Sequence, residues 1–370
     1  MEIAARHGHV VEEFTRSSDN LPHNLKGRLI AGTSAFYAPE SVRSFSALLD
    51  SFRPDVVHAY DLFPLISPGI LAECTRRGIP VIMSCVHYRL TCPVATHFHE
   101  GKVCTRCLGG REHQAILHNC RANLAESVTV AFYNRFTRKR RSFLDHVTRF
   151  IAPSEFTRQW LIENGDVPAD RIMVVTPGVD IPSKVSDPAV GTYVGFAGRF
   201  TPEKGIGVLL EAAKHCPVPI RLSRNAKFLP LPVPPGVEVV VTHNRDELHA
   251  FYGAARLLVA PSTWFETFGM VPAESMAHGI PVIASRLGAY GDLIEDGKDG
   301  VLFEPGDPKD LAAKIKHCWE NPDFCRRLGR AARQKVVNWS FEHFYQSLNN
   351  LYEEVTESPT DSQRSYLARA

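Results

Sequence analysis

The sequence predicts an α/β chain in which buried parallel strands alternate with helices, arranged in two domains. Three observations lead there. Residues 80–85, 193–198 and 255–261 are short apolar runs bounded by Pro or small residues, as strands buried on both faces should be. Two of these runs hand over to helical patterns. Residues 271–277 have Pro272 near their start and Gly279 just past their end, and Ile206, Leu209, Leu210 and Ala213 share one helix face. Finally, 370 residues suffice for two cores of ordinary size, and the Pro- and Ser-bearing stretch 179–188 reads as the linker between them.

The strand-to-helix loops carry the chemistry. Glu266 falls in the loop after residues 255–261, and Glu274 about one turn into the following helix. In open α/β sheets that crevice binds ligands. The amides of Thr267, Phe268 and Gly269 suit polar or anionic groups there, and a carboxylate at Glu274 can take both hydroxyls of a ribose diol. Upstream, Gly198 opens a loop that carries Arg199 and Lys204 to another helix N-terminus. An Arg fork and a mobile Lys charge in that position suit a diphosphate. Taken singly, each of these four side chains would also serve as a solvated surface charge or a helix-end charge worth ~0.3–1 kcal/mol.

Gly198-Arg199, Lys204-Gly205, the Glu266-to-Glu274 segment and Gly279-Ile280-Pro281-Val282 together resemble the donor half of a family 4 glycosyltransferase. The likeness runs on through Leu287-Gly288-Ala289, Ile294-Glu295-Asp296-Gly297, Gly300-Val301-Leu302-Phe303 and Pro305-Gly306-Asp307. The N-terminal half resembles a bacterial surface-polysaccharide branch of that family. Its markers are Pro54-Asp55-Val56-Val57-His58, Leu62-Phe63-Pro64, Val86-His87-Tyr88-Arg89-Leu90-Thr91-Cys92-Pro93, the Cys104-to-Gly109 cluster and Phe150-Ile151-Ala152-Pro153-Ser154.

The resemblance implies the GT-B architecture, two Rossmann-like domains facing across a cleft. Residues 1–181 would form the acceptor-side domain, with a Cys-rich insertion at about 87–120. Residues 191–337 would bind the nucleotide sugar, and 338–370 would form a helix returning to the first domain and a polar tail. It further implies transfer from a nucleoside diphosphate sugar to a glycan or lipid-linked acceptor with retention at the anomeric carbon. Domain closure would exclude water from the cleft.

In that reading His87, Arg199, Lys204 and Glu266 are catalytic, with His87 entering the cleft from the acceptor side. Gly198, Arg199, Lys204, Glu266, Thr267, Phe268, Gly269, Met270 and Glu274 hold the donor. No cofactor is expected for catalysis, and no Asp-x-Asp metal motif lies near the cleft. Two other functions stay open: a non-catalytic nucleotide-sugar-binding protein, and a GT-B relative such as a sugar-nucleotide epimerase.

Two departures from the family pattern stand out. Residues 1–10 resemble the end of a first helix entering a second strand, so the opening strand and its Gly-rich loop are expected to be missing. A misassigned start, a truncation or real loss of that part of the site would each explain it. Arg221-Leu222-Ser223-Arg224-Asn225 stands where the family has a Gly-rich strand end, which leaves the base open.

Composition narrows the class. A net charge of +2 gives no bias toward nucleic acid, no apolar run approaches the ~20 residues of a membrane helix, and no signal segment opens the chain. A cytoplasmic protein is expected. Arg135, Arg138, Lys139, Arg140 and Arg141 form a basic cluster that reads either as a solvated helix face or as a peripheral contact with anionic membrane. Nine cysteines without an export signal point to a reducing compartment. Cys104-x-x-Cys107 has zinc-knuckle spacing, and Cys92 and Cys120 could complete a structural zinc site; four free thiols is the alternative.

Overall fold

The computed structural model describes residues 2–22, 24–225 and 232–357. The polar segment after Glu357 lies outside the described residues. Ten strands form two parallel sheets. The first takes β1 (Val57–Ala59), β2 (Val81–Ser84), β5 (Arg149–Ala152) and β6 (Ile172–Val174), in that order; between β2 and β5 a small hairpin pairs β3 (Phe98–His99) with β4 (Lys102–Val103). The second contains β7 (Val194–Ala197), β8 (Ile220–Asn225), β9 (Val237–Thr242), β10 (Leu257–Ala260), β11 (Val282–Ser285) and β12 (Val301–Phe303). Its spatial order is β12-β11-β10-β7-β8-β9. From β7 the chain builds outward through β8 and β9, then crosses back to place β10 on the other side of β7. The order therefore reverses between β7 and β10, which puts the ligand crevice at their carboxyl ends.

Every residue of β2, β7, β10 and β11 is buried, because helices cover both faces of each sheet. Alternation along β10 shows the two layers: Leu257 and Val259 enter one core, Leu258 and Ala260 the other. In the first sheet Val81 and Met83 face one core. Ile82 faces the opposite one, which Leu348, Leu351 and Val355 complete.

Those three residues belong to the helix Phe341–Glu357, so the C-terminal helix returns to the N-terminal sheet as expected. Full burial of Leu351 alone is worth ~1.5–3 kcal/mol, and Tyr352 OH bonds His58 Nδ1 at 2.7 Å. Burial in that contact pushes the His58 imidazole down to about 4, so it stays neutral.

Two expectations are corrected. Residues 2–6 are helical, but among the described residues no strand follows them before β1. His7 stacks on Tyr345 of the returning helix at 4.2 Å, while Val10 and Val11 stay exposed with no sheet neighbour to pair with.

The second correction concerns the cysteines. Among the described residues no three Cys, His, Asp or Glu side chains are grouped to hold a metal ion, although the thiols of Cys92, Cys104, Cys107 and Cys120 are near enough to influence one another. Burial pushes Cys107 up to about 12 and Cys120 up to about 11, which favours neutral thiols. Hydrogen bonds and packing organise the insertion instead. His97 is buried, with Nδ1 2.9 Å from the Cys104 carbonyl and Nε2 2.8 Å from Thr91 Oγ1. Glu112, also buried, bonds Arg138 Nε at 2.6 Å.

Candidate active site

Two loops meet at the β7/β10 switch point. After β7, Gly198 leads through Arg199 to a single helical turn, Pro202–Lys204, and then to the helix Ile206–Ala213. After β10, residues 261–269 lead into the helix Met270–Ala277. Gly205 joins the loops: its φ is +70°, and a Cβ there would lie 1.7 Å from the Pro261 carbonyl oxygen. Only glycine fits that approach. The Thr263 amide donates to the Glu203 carbonyl at 2.9 Å, and the Thr263 hydroxyl to the Pro202 carbonyl at 3.2 Å.

The loops bring Lys204 and Glu266 together. Lys204 Nζ lies 2.7 Å from Glu266 Oε1, which also accepts from Ser262 Oγ at 2.7 Å. Ser262 is in turn 3.2 Å from Tyr290 OH, and Lys204 stands 5.0 Å above the Trp264 ring. Arg199 is half exposed and 3.3 Å from Glu203. Thr201 Oγ1 and Trp264 Nε1, one on each loop, are buried without a hydrogen-bond partner.

Gly269 starts its helix with φ +110°, where a Cβ would press on the Tyr290 ring at 2.7 Å. One turn on, Glu274 Oε2 accepts from Tyr252 OH at 2.8 Å. Burial raises the Glu274 pKa above the ordinary carboxylate value, with the Tyr252 hydrogen bond and Arg245 pulling the other way. Beside Tyr252 opens a cavity of about 430 Å³, lined also by Gly198, Arg199, Ser223, Arg224, Thr242, His243, Asn244, Arg245 and Val271. The departure at 221–225 thus forms a wall of this cavity, where Ser223 Oγ bonds Thr242 Oγ1 at 2.9 Å.

A second polar cluster stands at the carboxyl end of the first sheet, after β1 and β2. His87 Nε2 lies 3.0 Å from Asp61 Oδ2, and Arg89 Nε 3.5 Å from Asp61 Oδ1. The Arg89 amide donates to His87 Nδ1 at 3.4 Å. Burial works against ionisation of Asp61, but His87 and Arg89 outweigh it and hold its pKa below the ordinary value.

The first domain grips the loop 261–269 directly. Ser154 Oγ and Thr157 Oγ1 donate to the Thr267 carbonyl at 2.7 and 3.0 Å, and Thr267 Oγ1 donates to the Val86 carbonyl at 3.3 Å. Tyr88 OH reaches the Glu266 carbonyl at 3.4 Å, and the Phe156 amide bonds Asp292 Oδ2 at 2.6 Å. Phe265 sits among Tyr88, His97, Phe156 and Trp160, with ring centroids 4.9–6.5 Å away. The cysteine-bearing segment 87–120 thus supplies His97 to an aromatic cage around Phe265.

Of the residues singled out from sequence, the structure gathers Lys204 with Glu266, sets Gly198 and Arg199 on the cavity, and puts His87 beside Asp61 at the end of the first sheet. Tyr252, Arg245, Ser262, Tyr290, Asp61, Ser154 and Thr157 were not anticipated. Apart from Ser262, four residues before Glu266, their partners stand far away in sequence, and only the Ser after a buried strand at 154 gave a local signal, as a helix N-cap.

Two facing parallel α/β sheets, a cleft at the switch point and a returning helix define the GT-B fold. Comparison with known proteins agrees. Residues 184–335 match the family model "Glycosyl transferases group 1", and residues 3–182 match "Glycosyltransferase Family 4". The chain therefore has the GT-B fold, and each of its halves resembles a glycosyltransferase family model.

An uncharacterized glycosyltransferase of Methanocaldococcus jannaschii is 30% identical over 232 residues, covering 59% of this chain and 64% of that protein. A D-inositol 3-phosphate glycosyltransferase of Corynebacterium kroppenstedtii is 28% identical over 245 residues, covering 57% and 54%. The match thus spans less than two thirds of either relative. Among solved structures, Anabaena HepE in complex with UDP-glucose superposes with a TM-score of 0.62 at 20% identity, covering 96% of this chain and 88% of that one. A Rickettsia africae glycosyltransferase gives 0.63 at 17%, with the same coverages. Among the described residues no helix is long and apolar enough to cross a membrane.

Proposed function

We propose that the protein transfers a sugar from a nucleoside diphosphate sugar to a glycan or lipid-linked acceptor in surface-polysaccharide assembly, with retention at the anomeric carbon. The observation that carries this reading is the Lys204–Glu266 pair, set at the switch point beside an arginine-lined cavity. The UDP-glucose named for the HepE structure supports a nucleotide-sugar donor. The orphaned Thr201 and Trp264 polar atoms support a polar ligand across the same loops, since each costs ~1–3 kcal/mol while unpaired.

In the proposed reaction Arg199 and Lys204 hold the diphosphate and offset the charge that grows as it leaves, each worth ~100- to 1,000-fold in turnover. Glu274 takes the ribose diol with the oxygen that Tyr252 leaves unused. Glu266, with the Phe268 and Gly269 amides, orients the sugar hydroxyls, and Met270 and Thr267 complete that wall. The bond from the anomeric carbon to the diphosphate oxygen breaks, and the acceptor oxygen bonds the same face. The acceptor proton passes to the departing phosphate oxygen. His87, oriented by Asp61, lines the acceptor side. No metal or cofactor is required in this scheme, and the work belongs at the cytoplasmic face of a membrane.

Calorimetry with UDP and GDP, followed by turnover assays with the matching sugar nucleotides, tests the reading. Saturable binding that Lys204→Ala weakens tenfold or more, with anomeric configuration kept in the product, is expected. Binding without transfer to any glycan or lipid acceptor would instead identify a binding protein, and conversion of the sugar nucleotide alone an epimerase.

A further inference from the structure

Residues 179–188 join the first sheet to the second and lie along the second. The Val179 amide donates to the Trp339 carbonyl at 2.8 Å, Arg333 Nη2 to the Pro182 carbonyl at 2.7 Å, and the Ser186 amide to the His278 carbonyl at 2.9 Å. Those contacts fasten the backbone of the segment. The Asp180 carboxylate does something else. It forms an ion pair with Arg245, which opens the helix Arg245–Ala254 and lines the cavity beside Tyr252. One turn along that helix, His249 brings Nε2 to 3.6 Å from the same Asp180 oxygen, and its Nδ1 lies 2.8 Å from His278 Nε2. His278 is buried at the end of the helix Met270–Ala277, where its amide donates to the Glu274 carbonyl at 3.3 Å. Asp180 is thus tied to both of the helices that supply the Tyr252–Glu274 pair.

The ion pair is too open to serve stability. The Arg245 and Asp180 side chains are 60% and 42% exposed, and pairs so placed contribute little. What the contact fixes is direction. A guanidinium is a planar fork of N–H donors, so a carboxylate that takes one edge leaves the other edge aimed elsewhere. Burial raises the Glu274 pKa, and Arg245 is near enough to pull it back down, so the same cation acts on the cavity and on the connecting segment.

We infer that Asp180 is a positioning residue for the donor: it holds the Arg245 guanidinium along the cavity, so that the segment joining the two sheets sets the affinity for a nucleoside diphosphate. This rests on the proposed reading of the cavity as the nucleotide site and names a residue outside the cavity that tunes it. An anchored arginine meets its ligand without first losing rotamer freedom, a loss that otherwise weakens binding. The sign of the effect identifies the role. Asp180 brings a negative charge near an anionic ligand, so by charge alone its removal would tighten binding. Loss of a positioning residue weakens it.

The test is calorimetry of the whole chain with UDP and with GDP. For the nucleotide that binds, Arg245→Ala should weaken affinity about tenfold or more, as loss of a charge-assisted contact does. Asp180→Ala should weaken it about two- to tenfold, the scale of ordering one free side chain on binding, while its urea midpoint stays unchanged. In the Arg245→Ala background the same substitution should weaken nothing further. Affinity that stays level or rises in Asp180→Ala overturns the proposal, and so does a loss that persists undiminished once Arg245 is gone. Either result leaves the donor site standing and removes only the role of Asp180. Binding of neither nucleotide by the unaltered chain overturns the donor reading itself, and this proposal with it.

Discussion

Lys204 Nζ and Glu266 Oε1 are 2.7 Å apart, although 62 residues of chain separate them. A charge on the loop after β7 thereby neutralises a buried carboxylate on the loop after β10. Ser262 adds a second hydrogen bond to the same oxygen, while Lys204 keeps two of its three protons.

Lys204→Met should strand Glu266 in its buried position and cost about 2–3 kcal/mol of stability, along with most of the UDP affinity. Adding Glu266→Gln should restore part of the stability and none of the affinity. Urea unfolding and calorimetry on the two single variants and the double variant measure the coupling. Stability losses that simply add would show that the pair is not coupled.

Donor binding should depend on the charge of Glu274. Its raised pKa means that the carboxylate takes up a proton at a higher pH than an ordinary glutamate, so UDP affinity falls on acidification earlier than free carboxylates would dictate. Tyr252→Phe removes a hydrogen bond that favours the anion, moving that limb to still higher pH. Glu274→Gln should abolish the limb and weaken binding at neutral pH. The same shift has a stability sign: the folded state holds its proton more tightly than the unfolded chain, so Glu274 costs stability as pH rises through the interval between the two pKa values. Affinity profiles that coincide for wild type and both variants would exclude Glu274 from the site.

The Thr267 carbonyl ties the two domains through Ser154 and Thr157. Ser154→Ala with Thr157→Val removes two neutral hydrogen bonds, each worth ~0.5–1.5 kcal/mol. The pair should widen the domain arrangement by small-angle scattering and lower kcat, with each domain still folded. An unchanged scattering profile and rate would show that these contacts do not hold the closed form.

Asp61→Asn keeps the shape of the acceptor wall but removes the charge that His87 and Arg89 face. Transfer should slow by ~10- to 100-fold, the scale of losing a reactant's orientation, while UDP affinity holds. A fall in UDP affinity of the same size would move Asp61 to the donor side.

The fold was legible because its strands are buried on both faces and so read as unbroken apolar runs, as at β2 and β10. The loops were legible because glycines mark where backbones touch, and glutamates follow the strand end at a helical spacing. Tyr252 was not, since an aromatic on a helix face looks like core, and only the distance to Glu274 shows its hydroxyl at work. Ser154 and Thr157 find their acceptor more than a hundred residues away. The cysteines misled for the opposite reason: Cys-x-x-Cys is a local spacing, whereas ligation depends on a convergence that only the packed insertion decides. The strand expected after residue 6 is likewise not formed, and Val10 and Val11 stand exposed there.

Gly205 against Pro261 acts as a rivet between the two donor loops. With no room for even a methyl group at that contact, neither loop can shift without carrying the other, and the Lys204 and Glu266 sides form one rigid jaw. Adaptation to a different nucleotide must then come from elsewhere in the cavity, where side chains can be exchanged without disturbing the rivet. The wall of Ser223, Arg224 and Thr242 through Arg245 has that freedom, and there the same jaw could be fitted to a new base while its chemistry stayed the same.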